Sequence, residues 1–162
     1  MSRQRPQRGA AVVEFAFLCG LLLMFLLGIF EFGFLWLQSN YLANAAREGA
    51  RVAAKKMDDS LRCGAAEAAA IKYLAGSRLF STNGSTLKTG LLDTFECDDD
   101  VTISTDPPVS GVSFAVTINA DKVWNPILFR FIVAVLPDAD ADALNAYSDN
   151  LKKLRHSAVY AK

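Results

Sequence analysis

Residues 15–37, FAFLCGLLLMFLLGIFEFGFLWL, form a run of twenty-three with a single charge, Glu31, and this run constrains everything else the chain can do. About 20 apolar residues cross a bilayer as a helix, so the run is long enough to be a membrane span. Arg3, Arg5 and Arg8 precede it. Basic residues favour the cytoplasmic side, which predicts an N-terminus inside and the residues beyond about 40 outside. Trp36 and Tyr41 sit where an outer aromatic belt belongs.

Three kinds of segment share this outline. A secretory signal has an apolar core of about 7–15 residues followed by a small-residue cleavage site. Ala43-Asn44-Ala45 imitates such a site, but the apolar core before it is too long. A plain signal anchor explains length and orientation. It leaves unexplained the acid Glu14 where the run begins, and Gly9 between the arginines and the run. A basic leader ending in glycine, with a glutamate five residues later, is the arrangement of a prepilin cleavage site, here GAAVVEF at 9–15. A cut after Gly9 would leave a charged α-amino group on Ala10 beside the membrane core, where an unpaired charge is costly. Glu14 supplies the opposite charge for the amine of a neighbouring subunit, which would set axial register as helices stack. The plainer alternative is a glutamate solvated at headgroup level.

Glu31 lies 17 residues beyond Glu14. At about 100° per residue the two fall on different helix faces, so they do not form a shared carboxylate site. An acid at the bilayer midplane costs about 2.5–3.5 kcal/mol on insertion scales. Glu31 is close to the outer boundary, and an interfacial position is as strong a reading as a partner-binding one. Ala16 and Gly20 form a small-xxx-small pair, a weak sign of close helix packing.

The rest of the 162-residue chain has room for one compact domain. Net charge is zero, which gives no electrostatic reason to expect nucleic acid. Without the three leader arginines, the 17 basic residues fall to 14 against 17 acidic ones, a net of −3. Of the three cysteines, Cys19 lies in the apolar run, where it acts as a small hydrophobe. Cys63 and Cys97 lie in the polar remainder. In an exported domain they suggest one disulfide, with a pair of free buried thiols as the alternative. A bridge closing such a loop stabilises by roughly 3 to 5 kcal/mol in the chain-entropy picture.

The first helix is expected to continue beyond the membrane. Leu42, Ala45, Ala46, Gly49 and Ala53 keep helical spacing, while Arg47, Glu48, Arg51 and Lys55 occupy other faces. Such a stripe of small side chains lets another element approach closely. Asp58-Asp59-Ser60 breaks the pattern and caps a second helix over 61–76, and STNGSTLKTG at 81–90 reads as a loop. Alternation predicts strands at 101–104 and 112–120, joined through Asp106-Pro107-Pro108, with a third strand at 157–162. The apolar stretch 127–136 contains Arg130 and is too short to span a bilayer. Residues 138–155 look like an amphipathic helix with acids at its start and Lys152, Lys153 and Arg155 at its end.

Taken together, GAAVVEFAF at 9–17, GIFEFG at 28–33 and NAAREGARVAA at 44–54 resemble the TadE-like pseudopilins, minor pilins of the tight-adherence (Tad) pilus system. The resemblance is close over the first third of the chain and general beyond it. It implies a pilin-like α+β fold: a long N-terminal transmembrane helix running into a small outer domain with a second helix, a short antiparallel sheet and a C-terminal helical segment. The expected organisation is a leader at 1–9, the transmembrane and extended helix at 10–57, and a periplasmic or extracellular domain at 58–162. It implies cleavage by a prepilin peptidase between Gly9 and Ala10, with Glu14 as the family's acid at the fifth mature position. The implied partners are other Tad pilins and pseudopilins, an inner-membrane assembly platform and membrane lipid. The implied setting is the bacterial inner membrane, single pass, or the pilus itself, which is type IVb/IVc-like and serves adhesion and biofilm formation. The competing reading is an anchored envelope protein, a sensor or adaptor, that never enters a filament.

Chemistry-bearing motifs are few. Asp138, Asp140 and Asp142 copy the opening of a calcium loop, but Ala143 stands where glycine belongs and Asp149 where the closing glutamate belongs. A capped helix is the simpler reading. His156, the only histidine, has no metal-ligand companion in sequence. No protease, hydrolase, phosphate-loop or CxxC signature occurs, so neither an enzyme nor a cofactor is expected.

Overall fold

The computed structural model describes residues 8–56, 58–123, 127 and 153–161. Helix α1 spans Arg8–Lys55 as one unbroken element of 48 residues. At about 1.5 Å per residue it is roughly 72 Å long, about twice what a bilayer core requires. Helix α2 (Asp59–Ala75) folds back beside its upper half, and three strands follow: β1 (Leu92–Ile103), β2 (Val109–Asn119) and β3 (Lys153–Ala161). The architecture is α+β, as the sequence pattern suggests.

The reversal between the helices is held by polar chemistry. The Asp58 carboxylate accepts from the Ser60 backbone amide at 3.0 Å, capping α2. Arg62, 5% exposed, reaches back and donates twice to the Lys56 carbonyl, at 2.9 and 3.2 Å. That carbonyl lies just past the end of α1, so a charged donor satisfies an acceptor the helix leaves open.

The sheet is antiparallel with β2 in the centre, ordered β1-β2-β3. Residues Val112, Phe114, Val116 and Ile118 line the face of β2 turned to the helices, and all are essentially fully buried. Opposite them stand Leu42, Ala45, Ala46, Ala50 and Ala53 of α1 and Ala66, Ala70 and Leu74 of α2, with Phe80 and Leu91 closing the same core. The predicted small-residue stripe is what makes this close packing geometrically open. A Cβ on Gly49 would lie 2.6 Å from the Phe114 ring and 3.1 Å from the Ala66 carbonyl. Phe114 in turn stacks on Phe95 with ring centroids 5.8 Å apart, so it has little freedom to yield.

Two elements differ from the sequence expectation. Strand β1 begins at Leu92, nine residues before the alternation at 101–104 announces it. It carries bulges between Leu92 and Thr94 and between Asp98 and Val101, and these interrupt the period of two. Strand β3 begins at Lys153, so Lys153, Leu154 and Arg155 belong to the sheet and not to the end of a helix. Their register against Asn119, Ile118 and Thr117 of β2 places Leu154, His156 and Ala158 on the half-buried face. Burial of that face against α1 outweighs the local helical pattern. The rest of the expected C-terminal helix lies outside the described residues.

Candidate functional site

Gly9, Ala10 and Glu14 all sit in the first turns of α1, and each is exposed. Ala10 and Glu14 are four residues apart and therefore share one helix face, one turn apart. Among the described residues Glu14 makes no ion pair. An added Cβ on Gly9 would meet nothing within 4 Å, so the proposed cleavage position is sterically open.

Above these turns α1 has the look of a helix made for lipid. Val13, Phe17, Leu23, Phe25, Ile29 and Phe30 are all more than half exposed, and at about 100° per residue they are spread right round the axis. The helix is long and apolar enough to cross a membrane, near the N-terminus, with no residue of its most apolar 18-residue window buried. A helix that is apolar all round and uncovered requires a nonpolar solvent, which a bilayer provides.

Cover begins on one side only, at Glu31. This glutamate is 5% exposed and Gln38, seven residues on, is 0% exposed. Their spacing puts them on the face that continues upward as Leu42, Ala45 and Gly49. Glu31 is thus enclosed within its own chain, in contrast to the interfacial position read from its place in the sequence. On the other side of the same turns Phe32 and Trp36 remain 77% and 68% exposed. Tyr41, the second residue of the expected aromatic belt, is half-buried and meets Phe80 edge-on at 5.9 Å. Ala45, the last residue of the imitation signal-peptidase site, is 0% exposed in mid-helix, so a cut there would remove the centre of the core.

The outer domain is fastened at several points. Cys63 of α2 and Cys97 of β1 are joined in a disulfide, with Cα atoms 5.8 Å apart, tying the second helix to the edge strand. Cys19 is a free thiol in the apolar span. Ser39 Oγ lies 2.6 Å from His156 Nε2, linking α1 to β3 where the helix leaves the span. This role for the single histidine is invisible in sequence because the partners are 117 positions apart. On the outer face of the sheet, Lys153 pairs with Asp93 at 3.1 Å and Arg155 with Glu96. Both pairs run from β3 to β1 across the small side chains of β2. The Arg51 guanidinium donates to Glu48 at 2.8 Å and holds that carboxyl below the usual carboxylate range. The hydrogen bonds from Ser60 do the same for Asp58.

No group of three or more metal-binding side chains occurs among the described residues, and Asp138, Asp140 and Asp142 lie outside them. The features that carry information are all in α1: an open glycine, an exposed acid, a lipid-type span and a face of small residues. That is also where known sequences agree with this one. Residues 9–51 match the family model described as TadE-like protein. No curated protein and no solved structure matches the chain. That match starts at Gly9 and ends within the small-residue stripe, so over these residues of its first helix the chain is similar to TadE-like proteins.

Proposed function

We propose that this chain is a minor pilin, or pseudopilin, cut after Gly9 and taking part in assembly of a Tad pilus. Its role there is structural: packing by α1 and display of the outer domain, without catalysis. The observation that carries the reading is the family match over 9–51, because it begins at the glycine that closes the basic leader and takes in the acid five residues on. The organisation that follows is a leader at 1–9, an anchoring helix at 10–57 and an outer domain at 58–162, with the N-terminus cytoplasmic. Prepilin peptidase and the assembly platform are the partners this route needs, and adhesion and biofilm formation are the processes it serves.

A charged amine on Ala10 needs a counter-charge near the membrane core. Glu14 of an adjacent subunit is the acid placed to provide it, and the exposure of Glu14 leaves it free to do so. Intact mass of the protein from cells with an active prepilin peptidase should show loss of residues 1–9, and Gly9→Ala should retain them. An uncut wild-type chain in such cells would overturn the proposal. With Glu14→Ala, cleavage should persist while incorporation into pili falls; normal pili would remove Glu14 from the mechanism.

A further inference from the structure

We propose that the lower rim of the outer domain, around Arg78 and Lys88, rests on anionic phospholipid headgroups of the leaflet from which α1 emerges. The inference needs α1 to span a bilayer with the domain outside it. It needs neither the cut after Gly9 nor entry into a filament.

The height of the rim follows from its contacts. Beyond α2 the chain turns at 76–80, and Phe80 meets Tyr41 edge-on at 5.9 Å. Tyr41 is four residues, about 6 Å, beyond Leu37, the last residue of the apolar run. The polar layer of a bilayer is about 5–8 Å deep on each side of the hydrocarbon core, so this turn is at headgroup height. Neighbouring segments are pinned to the same level. The Lys88 backbone amide donates to the Phe80 carbonyl at 2.9 Å. Asn119, the last residue of β2, donates through its backbone amide to the Leu91 carbonyl at 2.7 Å and through its side chain to the Gly90 carbonyl at 3.0 Å. Lys122 closes the short helical turn Ala120–Lys122, and its Cε would lie 3.5 Å from a Cβ added at Gly90.

Charge is sorted along the same axis. Residues 76–91 contain Arg78 and Lys88 and no acid. Arg78 is exposed, and neither cation makes an ion pair among the described residues. The described acids at this level, Asp93 and Asp121, already face cations, Lys153 at 3.1 Å and Lys122 at 3.9 Å. The far end is the reverse: residues 98–108 carry four acids and no cation. Asp98 stands opposite Ser113, six residues and about 20 Å along β2 from Asn119. With a screening length of about 8 Å at physiological salt, those acids are shielded from the bilayer surface. Ile127, 54% exposed and four residues beyond Val123, adds an apolar side chain within reach of the rim.

These features select the partner. An anionic lipid surface attracts Lys and Arg held within a screening length of it, and a zwitterionic one offers no such net pull. A soluble acidic protein would have to enter the narrow gap between rim and bilayer.

The test follows amide hydrogen exchange of the full-length protein in nanodiscs of phosphatidylcholine, alone or mixed with phosphatidylglycerol. With phosphatidylglycerol at low salt, residues 76–91 should exchange several-fold more slowly, with residues 98–108 unchanged. High salt should erase the difference. Arg78→Gln combined with Lys88→Gln should erase it too, with circular dichroism confirming an intact fold. Lys55→Gln combined with Lys56→Gln, the same loss of charge at the far end of the domain, should leave it in place. No slowing with phosphatidylglycerol, slowing that survives high salt, or equal loss in both double variants would overturn the proposal. A chain that is cut after Gly9 yet shows no lipid response keeps the pilin reading and loses this one. An uncut chain with the full response does the opposite.

Discussion

The two halves of α1 answer to different surroundings with different side chains. Its lower half is built from Leu and Phe on every face, and its most apolar window has no buried residue. Its upper half places Ala45, Ala46, Gly49, Ala50 and Ala53 on the buried face, and charged groups such as Arg47 elsewhere. Large side chains suit a fluid hydrocarbon solvent that conforms to any shape. Small ones suit a fixed neighbour whose backbone must come close. Mean hydropathy alone does not separate these two kinds of apolar surface; side-chain volume does.

That contrast predicts opposite responses to the same substitution. Leu42→Ala, in the upper half, removes a fully buried side chain and should cost about 2–5 kcal/mol, with Leu22→Ala in the lower half leaving outer-domain stability unchanged. Chemical unfolding of the detergent-solubilised protein, followed by circular dichroism, separates the two; equal losses would dissolve the distinction. Glycine gives the next largest contrast. Gly49→Ala forces a methyl group against Phe114 and should destabilise by about 1–3 kcal/mol. Gly20→Ala meets open space and should be neutral or slightly stabilising, since alanine is the better helix former.

The smallest effect belongs to the boundary where the second helix starts. Asp58→Ala removes the cap of α2 and should lower the midpoint of thermal unfolding by less than either buried change. Its pH dependence has a definite sign. The Ser60 hydrogen bonds favour the charged carboxylate, so the folded group titrates below its ordinary 3.8. The cap's contribution is then present above that value and lost as pH falls through the depressed one. Wild-type and Asp58→Ala midpoints should therefore converge only in that acid range, and convergence near neutrality would contradict it.

What could be read ahead of the coordinates follows the range of the interactions. The long helix was legible because its lower half is an apolar run of membrane-spanning length and its upper half repeats with the helical period, and Asp58 was legible because a cap acts within a few residues. The charged first half of β1 was not. Asp93, Glu96 and Asp98 are poor strand formers in isolation, and the bulge between Asp98 and Val101 separates the pairing of Phe95 and Cys97 from that of Val101 and Ile103. Residues 153–155 read in sequence as a cationic helix end, with the strand starting only at 157. The choice is made by β2, more than thirty positions away. At the N-terminus Gly9 and Glu14 were legible as a motif, whereas the enclosure of Glu31 depends on tertiary cover that no local pattern encodes.

The seam between α1 and the outer domain has a mechanical meaning as well. It runs along the helix axis from Leu42 to Ala53, and α1 itself contains no proline between Arg8 and Lys55. A pull or push applied at the membrane end therefore travels up a stiff rod. It reaches the domain as shear spread over three turns of interlocked alanines, with no single contact peeled open first. A subunit hauled out of a bilayer would carry its folded domain with it as cargo on a mast.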